Sequence, residues 1–429
     1  MTSGPPGCPL WEALAPPAPA LDAFDGDART DVVIVGAGML GLSLALHLRE
    51  AGMGATVLEA DTVGAGASGR NTGFVVPSLR TAIGPEEVRK RMGQAGEALN
   101  TLVGGSATLV FDLARRHAID CAAERTGWLQ PAHTAAMARI LDLRAREWRA
   151  RGRPVEMLDA AETARRSGLT GYQGALFDPE GGQIDPLAFT RGLACAARRL
   201  GAKIHERARV TGLAAENGGW VATTRHGRII ADRAFLATNA LGAGIDGPVA
   251  ASLVPVVIHQ IATQRLDAAL RARVLPAGAP VADTRRHTFA VRWAPDGRLV
   301  SGGLVAPGSG ALERAGRFFA RRLARFFPDA GPLVAEFAWS GTIAKTIDDL
   351  PRFFELAPGF DAAVGCNGRG VALTTALGHA IARRYAGATE FPLPVSAPRP
   401  IPGRSLARHG QALWLKWSGL RDWLDTRLT

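Results

Sequence analysis

The sequence predicts a two-domain α/β protein, and three observations carry that expectation. Residues 31–59 run strand, glycine turn, helix, strand, which is the unit of a parallel sheet. Residues 254–264, 287–293 and 298–305 look instead like long antiparallel strands, with Asp296-Gly297 as a hairpin turn between the last two. At 429 residues the chain is too long for one comfortable core.

The first unit is the most informative. Residues 31–35, DVVIV, are apolar, rich in β-branched side chains and stopped by glycine, as a buried parallel strand requires. Gly36-Ala-Gly-Met-Leu-Gly41 follows, then a helix over 42–51 ended by Gly52. Residues 55–59, ATVLE, form a second strand ending in an acid. In that context Gly36 allows the tight turn and Gly38 lets backbone approach a pyrophosphate. Gly41 lets the helix sit close on the strand, and Glu59 accepts hydrogen bonds from a ribose diol. An acid at position 59, with no arginine there, points to FAD or NAD and away from NADP. A second polar, glycine-rich loop over 64–73, GAGASGRNTG, is superfluous for a nicotinamide site and suits a longer cofactor.

Composition narrows the class. Hydrophobic residues at 47% and charged residues at 21% describe an ordinary globular protein. No apolar run is long enough to span a bilayer, and the N-terminus lacks the pattern of a secretory signal. The formal charge is +11, yet only four of the 50 basic residues are lysine and the arginines are scattered. No nucleic-acid partner is expected, and the charge reads as solvated surface, or else as attraction for an anionic substrate or a membrane surface. Cys8, Cys121, Cys195 and Cys366 lie far apart with no CxxC, so neither a metal site nor a disulfide framework is expected and a reducing cytoplasm fits.

Residues 1–30 read as a Pro/Ala-rich surface arm, anchored by Trp11. Residues 84–150 are helical except for a strand and turn over 121–132; His117 and His133 within them are expected to be solvated or packed. Asp185-Pro186 starts a helix, with proline where its missing N–H costs nothing. Strands follow over 203–206 and 208–213, a hairpin over 219–232 and a buried strand over 233–240. A helix is expected over 311–327. A further glycine-rich turn, 364–371 (VGCNGRGV), feeds a helix over 372–384. Leu413, Trp414, Trp417, Leu420 and Leu424 recur at helical spacing, which favours a face docked on the parent domain over a membrane anchor.

GASGRN-x-G at this distance from the fingerprint resembles the D-amino-acid-oxidase-like flavoenzymes, a family that includes glycine and sarcosine oxidases, D-amino-acid dehydrogenases and gamma-glutamylputrescine oxidase. The likeness runs over nearly the whole chain, through GYxGAL at 171–176, W-x-G at 339–341 and the Pro-rich tail. It implies a Rossmann-like FAD-binding domain, discontinuous over 31–83, 153–245 and 336–388, and a substrate domain on a large mixed or antiparallel sheet over 84–152 and 246–335. The arm (1–30) and a C-terminal segment (389–429) complete the chain. FAD would be held by Gly36, Gly38, Gly41, Glu59, Ala67, Ser68, Arg70, Asn71 and Gly73, by the backbone of Val210, and by Gly365, Asn367, Gly368, Gly370 and Val371. The helix after 370 would aim its N–H groups at the end of the flavin that gains charge on reduction.

The implied activity is oxidation of an amine or amino acid at its C–N bond, with the amine bound neutral and no strong base. O2 or another electron acceptor, a quinone among them, would reoxidise the flavin, and a non-catalytic flavoprotein subunit is the remaining alternative. The chain departs from sarcosine-oxidase-type members in two places. No cysteine stands near Gly341, so FAD is expected to be non-covalent and Cys366 an unattached buried thiol. No lysine occurs in 299–303 to activate oxygen, which leaves oxidase and dehydrogenase both open. Arg292, on a strand of the substrate sheet, is the expected carboxylate clamp, because a planar guanidinium binds carboxylate in two-pronged fashion. Lys345, Arg369 and Gln260 are further candidates for flavin or substrate contact.

Overall fold

The computed structural model describes residues 7–80, 83–242, 244–245, 247–403, 414–415, 417–422 and 424–425. Its first sheet has nine strands built on the predicted unit. Ala28–Val35 lies in the middle, parallel to Ala55–Leu58 on one side and to Gly227–Leu236 on the other. Lys203–His205 extends the parallel row past Ala55–Leu58, and Phe360–Val364 extends it past Gly227–Leu236. Val32, Val33 and Ile34 are completely buried, as a strand with helices on both faces must be. The helices Met39–Glu50 and Gly370–Tyr385 pack against each other beside it, so close that a Cβ on Gly378 would lie 2.7 Å from the Leu44 nitrogen.

The second sheet has eight strands in the order Ala335–Lys345, Val254–Thr263, Leu299–Gly303, Ala290–Trp293, Val281–Ala282, Trp128–Pro131, Ala175–Asp178 and Glu156–Leu158. It is antiparallel but for the bridge between Val281–Ala282 and Trp128–Pro131. The expected division of the chain is therefore corrected: strands at 156–158, 175–178 and 335–345, assigned above (from 336 on, for the last) to the cofactor domain, pair in this sheet. Their hydrogen-bond partners, not their position in sequence, decide their membership. The helix Ala311–Phe326 covers one face through Ala315, Phe319, Ala320 and Leu323. The other face looks toward the glycine-rich ends of the first sheet.

Local chemistry sets the joints. The Asp185 carboxylate accepts from the Leu187 and Ala188 N–H groups at the start of Pro186–Arg199, as its place before proline predicted. Thr134 and Asp159 cap their helices in the same manner. The N-terminal arm is not a surface segment throughout: Leu10 and Trp11 are buried, and the Trp11 indole donates to the Asn71 carbonyl. The C-terminal stripe is also corrected. Trp414, Trp417 and Leu420 are exposed, and the helix docks through Asp422 and Asp425 on Arg286. Leu413 lies outside the described residues, and among those described no helix is long and apolar enough to cross a membrane.

Candidate functional site

One long cavity runs between the two sheets, from Glu59 and Val210 at one end to Gln260 and Thr288 at the other. Its first third is the fingerprint. Gly36 has φ +111°, and a Cβ there would meet the Ala237 carbonyl at 2.9 Å. A Cβ on Gly41 would lie 2.1 Å from the Gly36 carbonyl, so Gly41 serves the helix–strand contact and stands behind the cavity. The Gly38 position faces Ser68, whose hydroxyl accepts from the Met39 N–H at 2.9 Å. Glu59 lines the cavity and accepts from the Ala37 and Asp61 N–H groups at 2.8 and 3.0 Å. Burial pushes its carboxyl up, against the pull of those hydrogen bonds. A carboxylate oxygen can accept more than one hydrogen bond, so capacity remains for a diol.

The second loop forms the middle. Ala67, Ser68, Arg70 and Asn71 all line the cavity. Asn71 ties the loop to itself, donating to the Ala67 and Ser68 carbonyls and accepting from the Gly73 N–H. Arg70 donates to the Ser340 carbonyl at 2.6 Å and to the Gly7 carbonyl, which joins this loop to the second sheet and the arm. Gly73 does not reach the cavity. Its φ is +77° and a Cβ would lie 2.1 Å from the Ile184 carbonyl, so it is glycine for a close crossing of chains.

The far turn closes the site. Gly365, Cys366, Asn367, Gly368, Arg369, Gly370 and Val371 line the cavity, and no side chain caps the helix that begins at Gly370. Asn367, at φ +52°, is held by bonds to Thr346 and the Gly365 carbonyl. Burial pushes the Cys366 thiol up, which keeps it protonated. A helix start at Gly370 with no side-chain cap, one at Met39 whose first N–H meets the Ser68 hydroxyl, an acid at the end of the second strand and glycine backbone between them suit a dinucleotide with its flavin reaching the far turn.

Two expected residues are not where a substrate would be. Arg292 is 1% exposed and absent from the cavity wall. Its guanidinium donates to the Ile184, Thr72 and Gly73 carbonyls at 2.5, 3.1 and 3.3 Å, and to the Trp293 carbonyl at 2.9 Å. It lies over the Trp11 ring, and burial pulls it down to about 10. Ala290, two residues earlier on the same strand face, does line the cavity. Arg292 thus has the right face at the wrong end, where the loop over 72–73 and the arm cover it. Lys345 is likewise off the wall, 2.8 Å from Asp349.

Arg369 is different. Its guanidinium sits over the Trp128 ring, 4.7 Å from the centroid, and makes no hydrogen bond or ion pair with a described residue. Burial, with Arg80 and Arg144 nearby, pulls it down to about 9, which leaves it charged at neutral pH. Arg80 also lines the cavity and pairs with Asp349 at 3.6 Å. Sequence reasoning missed Arg80, Arg209, Asn239, Asp283, Thr288 and the pair Gly302-Gly303. Only the paired glycines, placed inside a strand, carried a signal of close approach.

A family model described as "DAO: FAD dependent oxidoreductase" matches residues 31–384. Gamma-glutamylputrescine oxidoreductase from Escherichia coli is 31% identical over 94% of this chain and 95% of its own. A probable oxidoreductase, OrdL, from Rhizobium meliloti is 29% identical over 97% and 98%. Among solved structures, L-proline dehydrogenase from P. horikoshii superposes with TM-score 0.72 at 20% identity, over 86% of this chain and 96% of that one. Glycine oxidase from Geobacillus kaustophilus does so with TM-score 0.67 at 23% identity, over 85% and 96%.

Proposed function

The chain belongs to the DAO family of FAD-dependent oxidoreductases, and from that premise we propose that it oxidises the C–N bond of an amine that also carries a carboxylate, with Arg369 holding the carboxylate. The single observation behind the carboxylate is that half-buried guanidinium, stacked on Trp128 and without an anionic partner among the described residues. A partly desolvated cation gains from a counter-charge, and a carboxylate fits its two-pronged donor edge. Relatives named for glycine, iminodiacetate and gamma-glutamylputrescine agree with a substrate of this kind.

The division of labour follows from the cavity. FAD, when bound, supplies the chemistry by taking a hydride equivalent from the carbon beside nitrogen. Glu59, the turn at 36–39, the loop at 67–71 and the far turn hold it between the two sheets. Arg369 draws the substrate's carboxylate to the far turn, and Ile258, Ile343 and Phe74 keep water from the reacting carbon. No histidine lies among the described lining residues, which agrees with an amine that arrives neutral and needs no enzymic base. As the C–H bond breaks, the nitrogen lone pair closes a C=N bond, and water hydrolyses the resulting imine.

The test is anaerobic mixing of the yellow protein with gamma-glutamylputrescine, glycine, iminodiacetate, L-proline and dimethylglycine. At least one should bleach the flavin. Arg369→Met should raise the Km of that substrate about 30- to 150-fold, the equivalent of about 2–3 kcal/mol for a charge-assisted pair, with FAD content unchanged. A protein that no amine bleaches is the non-catalytic alternative, and the reading fails. No lysine lines the described cavity wall, so reoxidation by a quinone-like acceptor stands beside reoxidation by O2. Comparison of oxygen uptake with quinone reduction decides between them.

A further inference from the structure

We propose that Gln260 takes hold of the substrate's amine: its side-chain carbonyl accepts the amine N–H while Arg369 holds the other end. This deepens the function proposed above and rests on it. Gln260 is 4% exposed and lines the cavity, and its Oε1 is sealed from solvent with no hydrogen-bond partner. No bond from its amide to any described residue exists at all. Leaving a buried acceptor unmet is expensive, and native proteins rarely do so without a ligand in view.

The reason it is unmet lies in its surroundings. Ile258, Ala282, Ala290, Gly302, Gly303 and Ile343 share this wall and offer no side-chain donor. The side chain is nevertheless fixed. Gln260 pairs with Gly302 across the antiparallel ladder, and a Cβ on Gly302 would lie 2.7 Å from Gln260 Cγ. Glycine at 302 therefore makes the seat in which the glutamine lies. Strand alternation sends the neighbour, His259, to the opposite face.

Asp283 and the other side-chain amides of the described wall are already committed. The Asp283 carboxylate accepts from the Tyr172 hydroxyl at 2.9 Å, the Phe289 N–H at 2.7 Å and Arg285. Asn71, Asn239 and Asn367 spend their amides on backbone carbonyls. Gln260 is the side-chain amide of this wall that no described residue bonds; a half-turn of its terminal amide, which exchanges Oε1 with Nε2, presents the carbonyl to the cavity, and the apolar floor around it disfavours an ammonium ion. A carboxylate in its place would do the reverse.

Two variants test this in the FAD-loaded protein. Gln260→Leu keeps the shape and removes the acceptor. It should bind FAD with the same stoichiometry and visible spectrum but hold the amine about tenfold more weakly. The amine used is whichever of gamma-glutamylputrescine, glycine, iminodiacetate and L-proline, the four that keep an N–H when neutral, bleaches the wild type fastest. Its affinity is read by calorimetry on dithionite-reduced protein, which cannot turn over. Gln260→Glu should bind that amine more tightly as pH falls, whereas the wild type binds it more tightly as pH rises toward the amine's own pKa. Wild-type affinity in Gln260→Leu, or a shifted flavin spectrum with unchanged amine affinity, would overturn the assignment and leave the proposed function standing. A wild type that binds no amine would overturn both.

Discussion

Replacing Arg292 by methionine tests the reassignment of that residue most sharply. The substitution keeps an apolar stem under Trp11 and deletes the guanidinium. The Thr72, Ile184 and Trp293 carbonyls then lose their Arg292 donor, whereas the Gly73 carbonyl keeps the Ile184 N–H at 2.8 Å. Each buried acceptor left unmet costs ~1–3 kcal/mol. Part of that is returned, because Arg292 is itself strained by burial, as its fall to about 10 records. A net loss of about 3–5 kcal/mol of stability is expected, the lower part of the sum over three such acceptors once that return is taken off. Because Thr72 and Gly73 end the second cofactor loop, FAD affinity should fall with it. Guanidinium denaturation of the holoprotein and FAD titration of the stripped protein measure the two effects. In whatever fraction keeps its flavin, the Km for the amine should stay within about twofold. Unchanged stability together with a large rise in Km would refute this reasoning and restore Arg292 as the carboxylate clamp.

Further outcomes follow from the same contacts. Gly41→Ala should abolish FAD binding, because the new Cβ would fall 2.1 Å from the Gly36 carbonyl and force the helix off its strand; flavin content on purification reads this. His47 and His287 are both pulled down to about 4, chiefly by burial. A depressed folded-state value means the unfolded chain takes up protons first, so their contribution is complete above about 6.5 and is lost as pH falls toward 4, at ~1.4 kcal/mol per pH unit for each. Asp185, raised to about 6 by burial, opposes this with a contribution present at low pH and lost as pH rises from about 3.8 through 6. The two histidines outweigh it, so the melting temperature should drop between pH 6.5 and 5, and less so in His47→Gln. Asp422→Ala removes the acceptor for the Arg286 and His287 N–H groups and should cost about 1–3 kcal/mol, read by thermal unfolding.

The cofactor half of the site was legible because its chemistry is local. Glycine at 36, 38 and 41 and acid at 59 sit within one strand–helix–strand unit, and backbone requirements write themselves into adjacent residues. The substrate wall is built differently. Ile258, Ala282, Ala290, Gly302 and Ile343 come from separate strands, with one or two residues from each. No spacing along the chain announces such a set. Arg292 shows the limit: periodicity gave its face correctly, but which end of the strand lies under the cavity depends on where the arm and the loop at 72–73 pack. Trp11, expected to anchor the Pro-rich arm, does so by full burial against the cofactor loop. The C-terminal helix shows that an apolar stripe at helical spacing does not say how it docks: Trp414, Trp417 and Leu420 stay exposed, and Arg286 is met by Asp422, Asp425 and the Trp417 ring together.

The most direct test of the whole account is the flavin content of the purified chain. The purified chain should carry one FAD, released intact by acid denaturation and lost when Glu59 or the glycine turn is altered. A folded chain that carries no flavin and takes none up when FAD is added would contradict it.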